Sequence, residues 1–489
     1  MKKLIAILCL LALCLPLCAC ATSIAPAEEA KTATAEEKAP AAEKATKAEE
    51  AKIDPPKGVF AVGYSIGDIS GGTPLPIYDG TAESIHDPLM LTCTAYSDGE
   101  GNLALVMSAD LKGMQKGVFD RSTALIEKNF GIPAENVIIG CTHTHNAPTV
   151  TNSNNSDMTR WLANYYKQLP IIVGDALRDL TEVEGVYAGL GYTEGITFVR
   201  RYLLANGKYK TNPSSADNPV AHETIADPEL RTIRWDRKDK KDVLMVNYQT
   251  HYGGATGMYR NQLSADFILP FRQQAEEKYD CLFAYQQGAG GNVNFNSLIP
   301  GERKYPNFIS AIDGFILATD EALAAEEKAE VGTIRGAKMN SVATVFHDSP
   351  EVVAAAKKIS KMKEGSAEAL ALKSQYGIGS ERHVNAIITR SEMGETNNIP
   401  LSCITFGDFA FCAFPYEMFH ENGKQTRDAS PYKVTVINSL AGGSYGYIPT
   451  TEAFPHGSYE VVTCKYAQGC GEQFVADMLK ILNECYNAA

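Results

Sequence analysis

Across its 489 residues the chain has no run of lysine or arginine longer than two residues. It holds 45 Lys+Arg against 58 Asp+Glu, a net charge of −13. A protein that grips phosphate backbones needs clustered cations, so nucleic acid is excluded as the main partner. Only one long apolar run is present, at the extreme N-terminus, which excludes a polytopic membrane protein. The 12 cysteines include no CxxC spacing, so a thiolate zinc site of the common kind is not expected. From residue 58 onward there is neither a second linker nor an internal repeat. What is present is ordinary for a globular chain: 45% hydrophobic and 21% charged residues. By size alone the chain has room for a large core and roughly two to three domains.

Residues 1–20, MKKLIAILCLLALCLPLCAC, read as a secretory signal: two lysines, an apolar stretch, then small residues. The end, Leu17-Cys18-Ala19-Cys20, resembles a bacterial lipobox. It predicts acylation of Cys20 and an exported lipoprotein anchored on the extracytoplasmic face of a membrane. Residues 21–57 form a linker. Its first 32 residues, Ala21 to Lys52, contain twelve Ala, seven Glu and five Lys, and cannot bury enough surface to fold alone. They read as a solvated spacer that gives the folded part, 58–489, reach from the membrane. Eight cysteines remain beyond the spacer. An exported chain permits disulfides between them, and Cys464 and Cys470 are close enough to pair, but a domain of this size demands none.

Beyond the linker, β-rich runs alternate with amphipathic stretches. Strands are predicted at Leu103–Ser108, Asn136–Ile139, Val243–Tyr248, Cys281–Tyr285, Cys403–Phe414 and Lys433–Asn438. Helices are predicted at Lys116–Asn129, Met158–Leu180, Leu269–Tyr279, Phe308–Lys328, Pro350–Ser374 and Gly471–Tyr486. The alternation indicates an α/β fold with mixed or mostly parallel sheets flanked by helices. In such folds the ligand site lies beyond the carboxyl ends of the strands, so the residues following each strand are the candidates.

After Asn136–Ile139 comes GCTHTHNAP, with His143 and His145 spaced i, i+2; on an extended backbone both project from one face. That suits two imidazoles on one metal, or one ligand beside one proton carrier. After Val243–Tyr248 comes His251. Glu417 follows the apolar run FAFCAF, where a carboxylate is poorly solvated unless paired or metal-bound. Lys433–Asn438 is followed by a glycine-rich loop presenting Tyr447, and Leu103–Ser108 by Asp110. After Cys281–Tyr285 the glycines of QQGAGGN let backbone N–H groups approach a ligand or form an anion-binding nest. They lack the Lys-Ser/Thr ending of a P-loop, so phosphate is not implied. Each residue alone has an ordinary role: His251 capping a strand, Glu417 pairing with an arginine, glycines turning the chain. Their convergence is what points to three N/O donors with one open position, the pattern of catalytic zinc, and to a metal-dependent hydrolase.

The segments GCTHTHNAP, NYQTH, QGAGGNVNFN, FPYEMF and GYIPTTEAF–GSYE, in that order, resemble the catalytic domain of the neutral/alkaline non-lysosomal ceramidases. The resemblance runs from about Gly58 to the C-terminus. It implies a zinc amidase that cleaves ceramide or another N-acyl substrate by metal-activated water, with one Zn2+ per chain on His143, His251, Glu417 and Tyr447. His145 falls where the family places a proton-handling residue. Arg200, in FVRRY with Arg201 as its neighbour in register, and Tyr459 would orient the substrate and stabilise the oxyanion. Asn294 would hydrogen-bond substrate or water, and Gly290, Gly291 and Asn292 would line the substrate. Two departures stand out. The family's GDVSP serine is replaced by Asn294, which cannot attack a carbonyl, so a seryl acyl-enzyme is excluded there. No counterpart of the family's C-terminal immunoglobulin-like domain is expected, the about 30 residues after Tyr459 being read as a closing helix. Competing readings are a non-catalytic relative, an ester-cleaving one, and a substrate-binding lipoprotein, though the two lobes of the last are not visible. The Ala-, Lys- and Ser-rich stretch Pro350–His383 reads as a helical excursion near the site mouth, with no assigned role.

Overall fold

The computed structural model describes residues 53–488 apart from 79, 153 and 252–257. The expected signal, Cys20 and the spacer up to residue 52 therefore lie outside the described residues. Among the described residues no helix is long and apolar enough to cross a membrane.

Runs such as LALVMSA, VIIGC, VLMVNY and FAFCAF are almost wholly apolar, without alternation, because both faces of their strands are buried. They belong to two sheets packed face to face. The larger has nine strands. Eight lie in the order Leu282–Gln287, Val243–Tyr248, Glu229–Arg237, Thr181–Tyr192, Ala61–Asp68, Met90–Ser97, Leu103–Ala109 and Val137–Cys141; Glu327–Lys328 pairs with Thr181–Tyr192 off this path. The smaller is ordered Arg335–Thr344, Thr396–Phe406, Phe409–Phe414, Val434–Ser439. Between the sheets lies one core, in which the rings of Tyr96, Trp235, Phe406, Phe409 and Phe411 pack tilted or edge-on against one another.

Alternate side chains of the larger sheet point the other way. There, helices Lys116–Phe130 and Ser156–Arg178 cover one half, and Ile268–Tyr279 and Ala311–Ala324 the other. The outer face of the smaller sheet is closed by Cys470–Asn487. The architecture is four-layered: helices, sheet, sheet, helix.

Both sheets are mixed, and antiparallel pairs predominate, so the mostly parallel alternative is not realised. Within these two sheets parallel pairing is confined to three strand pairs: Val243–Tyr248 with Leu282–Gln287, Leu103–Ala109 with Val137–Cys141, and Phe409–Phe414 with Val434–Ser439. The expected single strand Cys403–Phe414 is a hairpin, turned at Gly407 so that Phe406 pairs Phe409. The expected helix Pro350–Ser374 is broken into Pro350–Ile359 and Ala367–Tyr376, with Gly365 at φ 73° in the break. These two and Glu381–Ser391 enclose a small core of their own around Ala356, Ile359, Val384 and Ile387.

The three parallel pairs converge. Asn247 donates to the carbonyls of Gln286 and Ile437, each at 2.9 Å, tying one pair to another. The Gly442 N–H reaches the Ile139 carbonyl at 3.3 Å. The carboxyl ends of these strands therefore open onto one place, and the segments leaving them build the site.

Candidate metal centre

His143 stands two residues past the end of Val137–Cys141. The backbone there is not extended: His143 has φ 70°, a left-handed conformation held by its N–H on the Leu111 carbonyl at 2.9 Å. The same-face argument for His143 and His145 therefore does not apply, yet the turn brings their Nε2 atoms to 3.4 Å. His143 Nδ1 donates to the Lys112 carbonyl at 2.6 Å, and His251 Nδ1 to the Gly290 carbonyl at 2.9 Å. A carbonyl can only accept, so both rings carry their proton on Nδ1 and direct the Nε2 lone pair inward, the tautomer of a metal-ligating imidazole.

Glu417 completes the cluster. Its Oε2 lies 3.3 Å from His143 Nε2 and 4.0 Å from His251 Nε2, buried and without a hydrogen-bond partner. One ligand atom from each of His143, His145 and His251 can be chosen so that all three lie within 4.8 Å of one another, and this set could hold a metal ion. An orphaned carboxylate oxygen facing two inward lone pairs is costly unless a cation sits among them. The residues thus fit a divalent metal.

Burial, and then the neighbouring His143 and Lys112, hold the His145 pKa well below its ordinary value. Burial, then Arg200 and His143, do the same to His251. Burial opposes charge on Glu417, but His143, Lys112 and His251 outweigh it and keep the carboxyl ionised well below the usual carboxylate range. His145 and His251 are thus held neutral and Glu417 ionised, the protonation states that ligation requires.

Tyr447 is brought to Glu417 by a short parallel pairing in which the two residues are direct partners. Its phenol accepts from Arg200 Nη2 at 3.0 Å, and burial, then Glu417, raise its pKa. Arg200 also donates Nη2 to the Gly291 carbonyl and Nε to Glu460 Oε1, both at 2.8 Å. Arg201 turns away, donating to Glu223 and, at 3.0 Å, to Glu460 Oε2. Of the two neighbours it is Arg200 that faces the cluster. Tyr459 packs edge-on against Tyr447, ring centroids 5.4 Å apart. Above the cluster opens a cavity of about 750 Å³, with His145, Arg200, His251, Asn294, Tyr447 and Tyr459 among its walls. Asn294 is fixed there by Asn212 Oδ1 at 2.7 Å and the Asn296 N–H at 2.9 Å.

The glycine loop lies elsewhere than expected. The Gly291 N–H is taken by the Met418 carbonyl at 2.7 Å. Asn292 is fully buried, its side chain accepting from the His420 N–H and donating to Glu421. Gly290, Gly291 and Asn292 are absent from the cavity wall and stand behind the cluster, where their carbonyls hold His251, the Arg200 side chain and the Arg200 N–H. The absent side chains permit close approach: a Cβ on Gly290 would lie 2.1 Å from the Thr250 carbonyl oxygen.

Sequence reasoning missed Glu460, which is wholly buried beneath the two arginines, and Tyr78, Lys112 and Arg382 around the cavity. Glu460 had a usable signal: two adjacent arginines in a β-rich segment require a buried acid, and GSYE supplies one beside Tyr459.

No protein-family model matches the chain, and no curated protein sequence does. Solved structures do. The crystal structure of neutral ceramidase from Pseudomonas aeruginosa superposes with a TM-score of 0.62 at 16% identity, over 87% of this chain and 75% of that one. The fold is that of a neutral ceramidase. A ceramidase complexed with C2 matches with the same TM-score, identity and coverage. The mixed nine-stranded sheet and its helices are thus a ceramidase-like scaffold, and the three histidines sit on it where its parallel strands end.

Proposed function

We propose that this protein is a zinc-dependent amidohydrolase, ceramidase-like in its chemistry, that cleaves an N-acyl substrate. One observation carries the reading: on a ceramidase fold, three imidazoles and an orphaned carboxylate converge, and two of the imidazoles, His145 and His251, line a cavity large enough for an acyl amide.

His143, His251 and Glu417 would hold the ion, with Tyr447 as a fourth donor and His145 at its edge. When bound, zinc supplies Lewis acidity toward an amide carbonyl and toward water. His145, kept neutral by burial, accepts a proton at Nε2 from the attacking water and returns it to the departing amine. Arg200 is locked by Glu460 and the Gly291 carbonyl, so its donors are aimed before substrate arrives. Together with Tyr459 it faces the place where negative charge develops, a contribution of about 3 kcal/mol per donor. Asn294 contributes a hydrogen bond from the wall and no nucleophile. The proposal includes export, with acylated Cys20 and the Ala/Glu/Lys spacer holding the enzyme within reach of a membrane that supplies N-acyl lipids.

The test is amine release from a panel of N-acyl substrates by zinc-loaded protein, with chelation and re-addition of zinc as the control. Loss on chelation, recovery with zinc, and inactivity of His143→Ala are expected. Zinc-loaded protein that turns over no amide supports the non-catalytic reading instead, and faster cleavage of matched esters supports an esterase.

A further inference from the structure

The cavity above the metal centre has a charge character opposite to that of the molecule. The chain carries 58 acidic against 45 basic residues, yet among the described residues no carboxylate lines this cavity, whereas Arg200, Arg303 and Arg382 do. Arg200 is neutralised by Glu460. The other two have no acid within ion-pair distance among the described residues. Arg303 donates only to the carbonyls of Tyr305 and Pro306, at 3.3 and 2.6 Å. Arg382 donates to the Tyr459 hydroxyl at 2.9 Å and lies over the Tyr78 ring at 4.5 Å. Lys112, likewise without an acid within ion-pair distance among the described residues, sits over the same Tyr78 ring at 4.6 Å. Elsewhere among the described residues nine arginines are paired with carboxylates, Arg390 with Asp348 and Arg427 with Asp227 among them.

These cations are fixed relative to the reacting centre. Tyr78 packs against His145, ring centroids 4.6 Å apart, and Tyr459 against Tyr447. One aromatic ring therefore separates the Arg382 guanidinium from the metal cluster on either route. Arg382 is the second residue of Glu381–Ser391, whose N-cap Ser380 also lines the cavity. The helical excursion that the sequence left without a role thus delivers a guanidinium to the mouth, and the positive end of its last helix faces the same way.

We propose, building on the amidohydrolase reading, that the substrate is an acidic N-acyl compound whose carboxylate or phosphate oxygens are seated by Arg382 and Arg303, with Lys112 adding to the field. A planar guanidinium with free donors matches such an anion in bidentate fashion. A neutral N-acyl sphingoid base would leave these cations without a partner.

The experiment compares kcat/KM of the zinc-loaded enzyme for N-lauroylglycine, N-lauroylethanolamine and N-lauroyl-phosphoethanolamine, which share an acyl chain and differ in charge. The anionic amides are expected to exceed the neutral one by about tenfold or more, with the gap closing at about 0.5 M salt. Arg382→Gln and Arg303→Gln should each shrink the gap, and whichever anion gains more names the group recognised. Equal or faster cleavage of the neutral amide, with the ratio indifferent to either substitution, overturns the proposal. Should no amide be cleaved, the amidohydrolase reading fails separately. Calorimetric titration of metal-free protein then decides this one: tighter binding of N-lauroylglycine than of its ethanolamide supports it, and equal binding refutes it.

Discussion

Gly290→Ala tests whether the glycine loop positions His251. The added methyl carbon would stand 2.1 Å from the Thr250 carbonyl oxygen and 2.8 Å from Gln287 Nε2, where ordinary contact begins at 3.4 Å. The shortfall from the first atom is 3.4 − 2.1 = 1.3 Å. Thr250 cannot yield, because its carbonyl is held by Gln287 Nε2 at 2.6 Å. The backbone of residue 290 must move instead, and its carbonyl is the acceptor that fixes the His251 tautomer at 2.9 Å. A shift of that size takes the carbonyl out of hydrogen-bond range. Overpacking of this kind costs about 1–3 kcal/mol of stability. Loss of the partner that orients a metal-ligating histidine costs about 10- to 100-fold in metal affinity. Urea unfolding of the metal-free variant and zinc titration against a chromophoric chelator measure the two effects separately. Gly379→Ala, where a Cβ meets nothing within 4 Å, is the control and should change neither. Zinc affinity of Gly290→Ala within twofold of the parent protein would refute the positioning role.

Glu460→Gln keeps shape but removes the charge shared by Arg200 and Arg201, and leaves donors facing an amide N–H. Breaking a buried ionic network in this way should destabilise the fold by about 3–5 kcal/mol in urea unfolding. Glu417→Gln should weaken zinc binding by about 100-fold or more in competition titrations, since a charged donor is lost from the cluster itself. The pH dependence follows from His145 and His251, whose pKa values are depressed, first by burial and then by neighbouring cations. Their contribution is present above the unfolded-state value of about 6.5 and is lost as pH falls, because the unfolded chain takes up protons that the native state refuses. Metal-free protein should therefore lose up to about 1.4 kcal/mol per histidine for each pH unit below about 6, seen as a falling urea midpoint. A flat profile between pH 6.5 and 5 would contradict the buried, neutral state of these rings.

The residues that gather at the centre were legible because each follows a strand that is largely apolar without alternation, as strands buried on both faces are. Val243–Tyr248, for example, was predicted to the residue. The antiparallel middle of the large sheet was missed for a related reason. Thr181–Tyr192 carries Gly189 and Gly191, which lower strand propensity, but a Cβ at either would strike the carbonyls of Ala322 or Ala318 at 2.0 and 1.9 Å. Those glycines record how closely helix Ala311–Ala324 lies on the sheet, a fact of tertiary packing that no local pattern encodes. Asn292 was read as substrate-facing because it sits in a glycine loop. Its side chain points back into the protein because the loop is pinned by Met418 and Arg200, residues 126 positions after it and 92 before it. Arg382 escaped notice because nothing in Pro350–His383 marks which helix turn meets the cavity.

The most direct measurement is metal content of purified, zinc-loaded protein beside His143→Ala and His251→Ala, each dialysed against the same weak chelator. One zinc per chain in the parent protein and a clear deficit in both variants is the predicted result. A parent chain that keeps no metal, or variants that keep as much as the parent, would contradict the centre on which the proposed chemistry is built.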